Sequence, residues 1–148
     1  MVRFMPKDKL IALLNKGLEL EHAARAQYLS HAKVVAGVNA DSIAERLVEI
    51  AGDEQKHEGM FRDCIDILRG VPSIKMSVGH PAEGVEQILR VNLKDEHDAL
   101  DFYFNILAEL NSTKPELKYE YEYIEHKLRH IIMDEQEHAS ELKTLLGE

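Results

Sequence analysis

The chain has 148 residues, 45% hydrophobic and 30% charged, which suits a single globular domain spanning 1–148 whose core needs no covalent staples. A net charge of −9 without a basic stripe argues against nucleic acid as a partner. The single cysteine, Cys64, leaves no internal disulfide and fits a reducing compartment. No apolar run approaches the ~18 residues of a membrane span. The start, Met1-Val2-Arg3-Phe4-Met5-Pro6, has no apolar signal-peptide core. The expectation is a soluble, cytoplasmic protein.

Turn residues cut the chain into four long segments, read as helices over 7–36, 42–69, 82–110 and 114–146. Gly37-Val38-Asn39-Ala40-Asp41 makes the first break, with Ser42 and Glu45 as a capping box for the second helix. Gly70-Val71-Pro72 and Gly79-His80-Pro81 bracket a connection of about 12 residues. Asn111-Ser112-Thr113-Lys114-Pro115 is the last break, with Thr113 and Glu116 as a second capping box. Tyr119-Glu120-Tyr121-Glu122-Tyr123 alternates like a strand but lies in a segment of helical period, and is read as helix. Two short links make antiparallel neighbours. The longer one can cross the end of an all-α, antiparallel four-helix bundle.

Each helix carries a stripe stepping by threes and fours, as bundle packing requires. The stripes are Leu10, Leu14, Gly17, Glu21, Ala24, Tyr28, His31, Val35; then Ile43, Leu47, Ile50, Glu54, His57, Phe61, Cys64, Leu68; then Val85, Leu89, Asn92, Glu96, Ala99, Tyr103, Ile106, Leu110; then Leu117, Tyr121, Ile124, Leu128, Ile131, Glu135, His138, Leu142, Leu145. All four contain a glutamate where an apolar residue belongs, and two contain Glu-x-x-His. An unpaired buried carboxylate costs several kcal/mol, and four converging would repel. Two divalent cations cancel four negative charges. The pattern calls for metal at Glu21, Glu54, His57, Glu96, Glu135 and His138.

The Glu-x-x-His spacing alone is weak, since about one match arises by chance at this composition. Three occur: Glu19/His22, Glu54/His57 and Glu135/His138, and the first falls off its seam. Glu-x6-Tyr recurs on the seams at Glu21/Tyr28 and Glu96/Tyr103, so the chain is a loose repeat of Glu-x6-Tyr followed by Asp-Glu-x-x-His. Tyr28 and Tyr103 read either as partners of ligand carboxylates or as ordinary core tyrosines. Asp53 and Asp134 either orient the opposite half's imidazole or sit on a solvated face. Glu49 with Asp53 reads as a charged face or as an inward path for the metal. His31 reads as core or proton relay, and Cys64 as a small buried hydrophobe. His22, His97, His126 and His130 fall off the seams and are expected at the surface.

These ligand residues resemble those of the ferritin-like di-iron carboxylate proteins: a glutamate from each of two helices plus two Glu-x-x-His motifs. Glu21-His22-Ala23-Ala24-Arg25-Ala26-Gln27-Tyr28 is similar to the first-helix site of bacterioferritins, and Gly70-Val71-Pro72 to the turn after their second helix. Miniferritins are related, rubrerythrins more distantly. The resemblance implies that Glu54 and Glu135 bridge two metals, that Glu21 and Glu96 are terminal ligands, and that His57 and His138 each bind one ion. Gln55 stands where bacterioferritins carry a haem-ligating methionine, so no haem is expected. Only ten residues follow His138, which by the resemblance implies that a fifth helix is absent or a stub; this weakens the case for a 24-subunit cage and leaves a 12-subunit shell or a small oligomer open. The further third-helix glutamate and the rubredoxin-like domain of rubrerythrins have no counterpart.

Mixed carboxylate and imidazole ligands with open coordination suit iron, with manganese as the alternative and zinc as a substitute in a crystal. The expected activity is a ferroxidase, oxidising Fe(II) with O2 or H2O2, with iron storage as an extension. The alternative is a rubrerythrin-like or manganese-catalase-like peroxidase or oxidase that retains its two metals. A homo-oligomer is expected in either case.

Overall fold

The computed structural model describes residues 6–148; the Met1–Met5 stretch, where no signal-peptide core was read, lies outside the described residues. Four long helices carry the fold: α1 (Pro6–Val34), α2 (Ala40–Ile67), α3 (Val85–Thr113) and α4 (Tyr121–Leu145), with a 3-10 turn at Lys114–Glu116. α1 packs most extensively on α2 and α3 on α4, and the two hairpins meet through α1 with α3 and α2 with α4. No helix is long and apolar enough to cross a membrane among the described residues.

The seams turn inward almost residue for residue. Of their members, only Leu145 is exposed, while Ala24, Val35, Val85, Ala99 and Tyr121 are half-buried. The buried apolar residues form two separate clusters. One holds Leu10, Leu14, Leu18, Phe61, Ile106 and Leu128, and the other Tyr28, Ile43, Leu47, Ile50, Leu89 and Leu142. Each aliphatic side chain removed from water contributes roughly 1.5–3 kcal/mol. Between the two clusters lies the belt of glutamates and histidines.

The helix ends differ from the sequence reading, and the reasons are local. α2 begins two residues early, at Ala40, because Asn39 takes a left-handed conformation (φ 66°) and no side chain caps the helix. Ser42 is therefore inside the helix rather than capping it. Thr113 does not cap α4 either: its hydroxyl donates back to Glu109 O at 2.8 Å, a bond that prolongs α3. Pro115 then sits in the 3-10 turn, and Leu117 turns extended (φ −99°, ψ 109°) with its side chain buried. α4 starts only at Tyr121, so Tyr119 and Glu120 lie outside the helix.

The connection between α2 and α3 covers residues 68–84, longer than the twelve expected, and it is a strap laid along α1. Asn15 holds its start, donating to Val71 O (3.0 Å) and accepting from Ser73 N (2.7 Å). Glu19 accepts from Ser73 Oγ at 2.7 Å, and its carbonyl accepts from Ser77 N at 3.1 Å. Arg69, not Gly70, takes the left-handed turn at φ 63°. Gly70 is needed for a different reason: a Cβ there would lie 2.8 Å from Ile11.

Candidate metal centre

Glu21, Glu54, Glu96 and Glu135 arrive at one depth of the bundle from α1, α2, α3 and α4. His57 and His138 follow their motif glutamates by three residues, and so lie on the same helical face. All six side chains are buried, none more than 3% exposed. They form two overlapping sets: Glu21, Glu54, His57 and Glu135, and Glu54, Glu96, Glu135 and His138. In each set one ligand atom per residue lies within 4.8 Å of the others. Glu54 and Glu135 belong to both.

The remaining hydrogen-bonding capacity of these residues is committed crosswise between the halves. His57 Nε2 donates to Asp134 Oδ2 at 2.8 Å, and His138 Nε2 donates to Asp53 Oδ2 at 2.9 Å. Each proton is assigned to Nε2 because a carboxylate can only accept. In the neutral ring that leaves Nδ1 aimed inward with a lone pair, the form a metal would take up. Tyr28 Oη donates to Glu96 Oε1 and Tyr103 Oη to Glu21 Oε1, both at 2.6 Å. Each tyrosine thus bonds a glutamate across the bundle, Tyr28 of α1 to Glu96 of α3 and Tyr103 of α3 to Glu21 of α1.

What is left over defines the site. Among the described residues, seven buried side-chain polar atoms have no hydrogen-bond partner. Six are Glu21 Oε2, Glu54 Oε1, His57 Nδ1, Glu96 Oε2, Glu135 Oε1 and His138 Nδ1, and the seventh is Ser77 Oγ. His57 Nδ1 lies 3.0 Å from Glu135 Oε1 and 3.3 Å from Glu54 Oε1, near enough for charge attraction but out of line for a hydrogen bond. Buried polar groups are almost always satisfied, so one orphan on each of six converging residues marks a missing partner of positive charge. The residues fit a pair of metal ions.

The electrostatics agree. Burial, then the charges of Glu21 and Glu96, push Glu54 well above the usual carboxylate range. Burial followed by Glu54, Glu96 and Glu21 does the same to Glu135. Glu96 is held below its ordinary value in spite of burial, by the closeness of Glu135 and His138 and by the hydrogen bond from Tyr28. Burial alone would lower His57, but Glu135 and Glu21 outweigh it and lift the ring to about 11. His138 rises likewise against burial, through Glu96 and Asp53. Without metal, the cluster holds protons in its place.

A family model described as a ferritin-like domain matches residues 11–148. The chain belongs to the ferritin-like family. Its fold is that of a ferritin-like, diiron-carboxylate protein from Bacillus anthracis str. Ames, at 25% identity and a TM-score of 0.87, over 97% of this chain and 99% of that one. The bacterioferritin of Rhodobacter capsulatus, solved with a metal-free dinuclear site and a haem iron, is similar at 25% identity and a TM-score of 0.77. That match covers 93% of this chain and 82% of the bacterioferritin. No curated protein sequence matches the chain significantly.

Other residues of this ferritin-like chain fall in different places. Glu19 and His22 hold the strap, His22 Nδ1 meeting Lys75 O at 2.6 Å. His22 is thus half-buried rather than on the surface; His97, His126 and His130 are exposed. His31 is buried, its Nε2 donating to His80 O at 3.0 Å and its Nδ1 accepting from Asn92 Nδ2 at 2.9 Å. Glu49 pairs with Arg46, which also grips Glu141. Cys64 is buried, its thiol pushed up to about 12. Sequence reasoning missed Glu58, 2% exposed and clamped by Arg25, by Arg62 at 3.3 Å and by His22 at 3.6 Å. The signal was available in the cations: Arg62 stands one turn after Glu58 on a helix surface.

Proposed function

We propose that the six-residue cluster holds two iron ions and that the protein is a non-haem ferroxidase, taking Fe(II) as substrate with O2 or H2O2 as oxidant. The observation carrying this reading is the set of six orphaned, converging ligand atoms, with the likeness to a bacterioferritin selecting iron oxidation among di-iron chemistries. When bound, two Fe(II) ions supply two electrons side by side to one oxidant molecule. The protein's own part is positional. Asp53 and Asp134 hold a proton on each Nε2 and so keep each Nδ1 free. Tyr28 and Tyr103 occupy one oxygen of Glu96 and Glu21 and leave the other facing inward. The two apolar clusters exclude water from above and below, which strengthens every charge interaction between them. Gln55, exposed at the position next to Glu54, offers no thioether to a haem. The lone buried thiol favours a cytoplasmic location, and the family resemblance a homo-oligomer.

A second reading, a rubrerythrin-like or manganese-catalase-like peroxidase or oxidase that keeps its metals, draws support from a cavity of ≈ 300 Å³ reaching Glu54, Glu96 and Glu135. Anaerobic Fe(II) loading of the metal-free protein, followed by air, with native mass measured in parallel, separates the two. The ferroxidase reading expects rapid oxidation followed by further uptake, with many irons per chain if storage occurs. Saturation at two irons on a small oligomer, with no turnover of added Fe(II), selects the peroxidase. Failure to take up iron or manganese sinks both.

A further inference from the structure

The far end of the strap is tied to the bundle by a chain of hydrogen bonds that begins and ends on one residue, His80. His31 Nε2 faces the carbonyl oxygen of His80 at 3.0 Å, so that nitrogen carries the ring's proton, and Nδ1 accepts from Asn92 Nδ2 at 2.9 Å. Asn92 Nδ2 gives its second hydrogen to Ile88 O at 2.7 Å, and Asn92 Oδ1 accepts from Gln27 Nε2 at 2.9 Å. Gln27 Nε2 gives its other hydrogen to Asp95 Oδ2 at 2.7 Å, and Gln27 Oε1 accepts from His80 N at 2.7 Å. His31, Asn92 and Gln27 are buried, whereas His80 is exposed.

Backbone groups fix every direction in this chain: the carbonyls of His80 and Ile88 must accept, and the N–H of His80 must donate. Both amides have committed both hydrogens, so the network closes only around a neutral His31. A second proton on the ring sits at Nδ1 and points at Asn92 Nδ2, donor against donor. Turning Asn92 over gives the ring an oxygen, but it breaks the bond to Ile88 O and sets Asn92 Nδ2 against Gln27 Nε2. Turning Gln27 over as well sets its Nε2 against His80 N. One hydrogen is then left without an acceptor, and the member most easily released is the one that can reach water, the backbone of His80. Burial already holds His31 below the ordinary histidine value, against its bond to His80 O and the charge of Asp95. The titratable groups facing the ring are thus Asp95 of α3 and His80 of the strap, while α2 and α4 bring apolar side chains to the adjoining cluster, Ile43, Leu47 and Leu142 among them.

We propose that His31, Asn92 and Gln27 form a proton-operated latch on the strap: uptake of a proton at His31 Nδ1 frees residue 80, while the strap's near half stays on α1. The near half hangs on Asn15 and on the carbonyl of Glu19, which bonds Ser77 N at 3.1 Å, and none of those bonds passes through the latch. Closed, the latch excludes the proton; open, the ring titrates at the ordinary value of about 6.5. Opening is therefore favoured as pH falls below about 6.5, by about tenfold per pH unit for the one proton taken up. The His80 ring acts with the opposite sign, since its protonation strengthens the 3.0 Å bond to Asp95. His80 lines the cavity that also touches Glu54, Glu96 and Glu135, so its release removes part of that cavity's wall. None of the six cluster residues belongs to the latch, and the inference goes beyond the ferroxidase reading without depending on it.

The test is hydrogen exchange of the full chain, resolved at single amides by mass spectrometry and corrected for the intrinsic effect of pH, from about pH 7.5 to about pH 5.5. The expected result is a His80 amide whose protection is level above about pH 6.5 and falls below it by about tenfold per unit, with Ser73 and Ser77 level throughout. His31→Gln offers a donor to His80 O and an acceptor to Asn92 but takes up no proton, so its His80 amide should stay protected across the range. Asn92→Asp offers acceptors to a protonated ring and to Gln27 Nε2, and should also remove the acid loss. A level His80 profile in the unaltered chain, an equal fall at Ser77, or an unchanged acid loss in His31→Gln overturns the proposal. Should His31→Gln leave the His80 amide unprotected at every pH, Asn92→Asp decides: an acid loss retained there overturns the proposal, and one abolished there supports it.

Discussion

The hairpin α1–α2 and the hairpin α3–α4 are alike at the belt and unlike one turn away from it. At the belt every residue has its counterpart: Glu21 and Glu96, Glu54 and Glu135, His57 and His138, Asp53 and Asp134, Tyr28 and Tyr103. One turn before Glu21 and Glu96 stand Gly17 in one half and Asn92 in the other. Gly17 lies against the Phe61 ring, where a Cβ would come within 2.7 Å, whereas Asn92 ties Gln27, His31 and Ile88 O together. One turn after the motif glutamates stand the clamped Glu58 and the plain Ala139. The cluster of four glutamates and two histidines constrains its own layer closely, and the neighbouring layers are free to specialise in packing or polar networks.

The largest expected effect tests the likeness. Glu54→Ala or Glu135→Ala removes a residue common to both ligand sets, so metal content should fall from two ions per chain to none. His57→Ala or His138→Ala should each leave one. Elemental analysis after loading reads this, and unequal losses for the two histidines would break the equivalence of the halves. Next, Asp53→Asn and Asp134→Asn should each weaken metal binding by about 10–100-fold, and to the same degree, since each holds the imidazole of the other half. Titration of both variants at one pH decides it.

Proton release sharpens the same point. With His57 raised to about 11, its ring is protonated at neutral pH in the metal-free chain, and metal must displace that proton. Affinity therefore rises with pH, about tenfold per pH unit for each proton released. Calorimetry in buffers of different ionisation enthalpy counts the protons, and a pH-independent affinity would contradict the picture. The smallest effect probes the unlike layers. Gly17→Ala gains helix propensity but drives a methyl into Phe61, which is fully buried and packed on Tyr103 at 5.4 Å. It should cost about 1–3 kcal/mol in urea unfolding. Ala139→Gly, in the half without that contact, should cost only about 1 kcal/mol.

The seams were legible because burial imposes a period on sequence, and a glutamate on such a stripe stands out against its neighbours. That is why Glu21 and Glu96, with no Glu-x-x-His of their own, stand out beside Glu54 and Glu135. The ends were less legible. Ser42/Glu45 and Thr113/Glu116 have the spacing of capping boxes, but backbone conformation at Asn39 and back-bonding by Thr113 decide those boundaries, and neither leaves a periodic trace. The strap escaped notice for a related reason. Its hold on α1 runs through Asn15, Glu19 and His22, polar residues that look like an exposed face until the segment covering them is in place. The off-seam Glu19/His22 pair lies apart from the six-residue cluster and bonds the strap, a use that could not be read from spacing.

The crosswise bonds at the belt have a consequence for assembly. Neither hairpin can finish its own site: the Asp53 carboxylate serves the ring of His138, and the Tyr28 hydroxyl serves Glu96, while α3–α4 returns both favours. One hairpin alone offers a surface whose unmet bonds are matched by a second copy turned through half a circle. At the belt the two hairpins of this one chain exchange bonds as the halves of an isologous dimer would, and the 68–84 strap is the covalent tie between them.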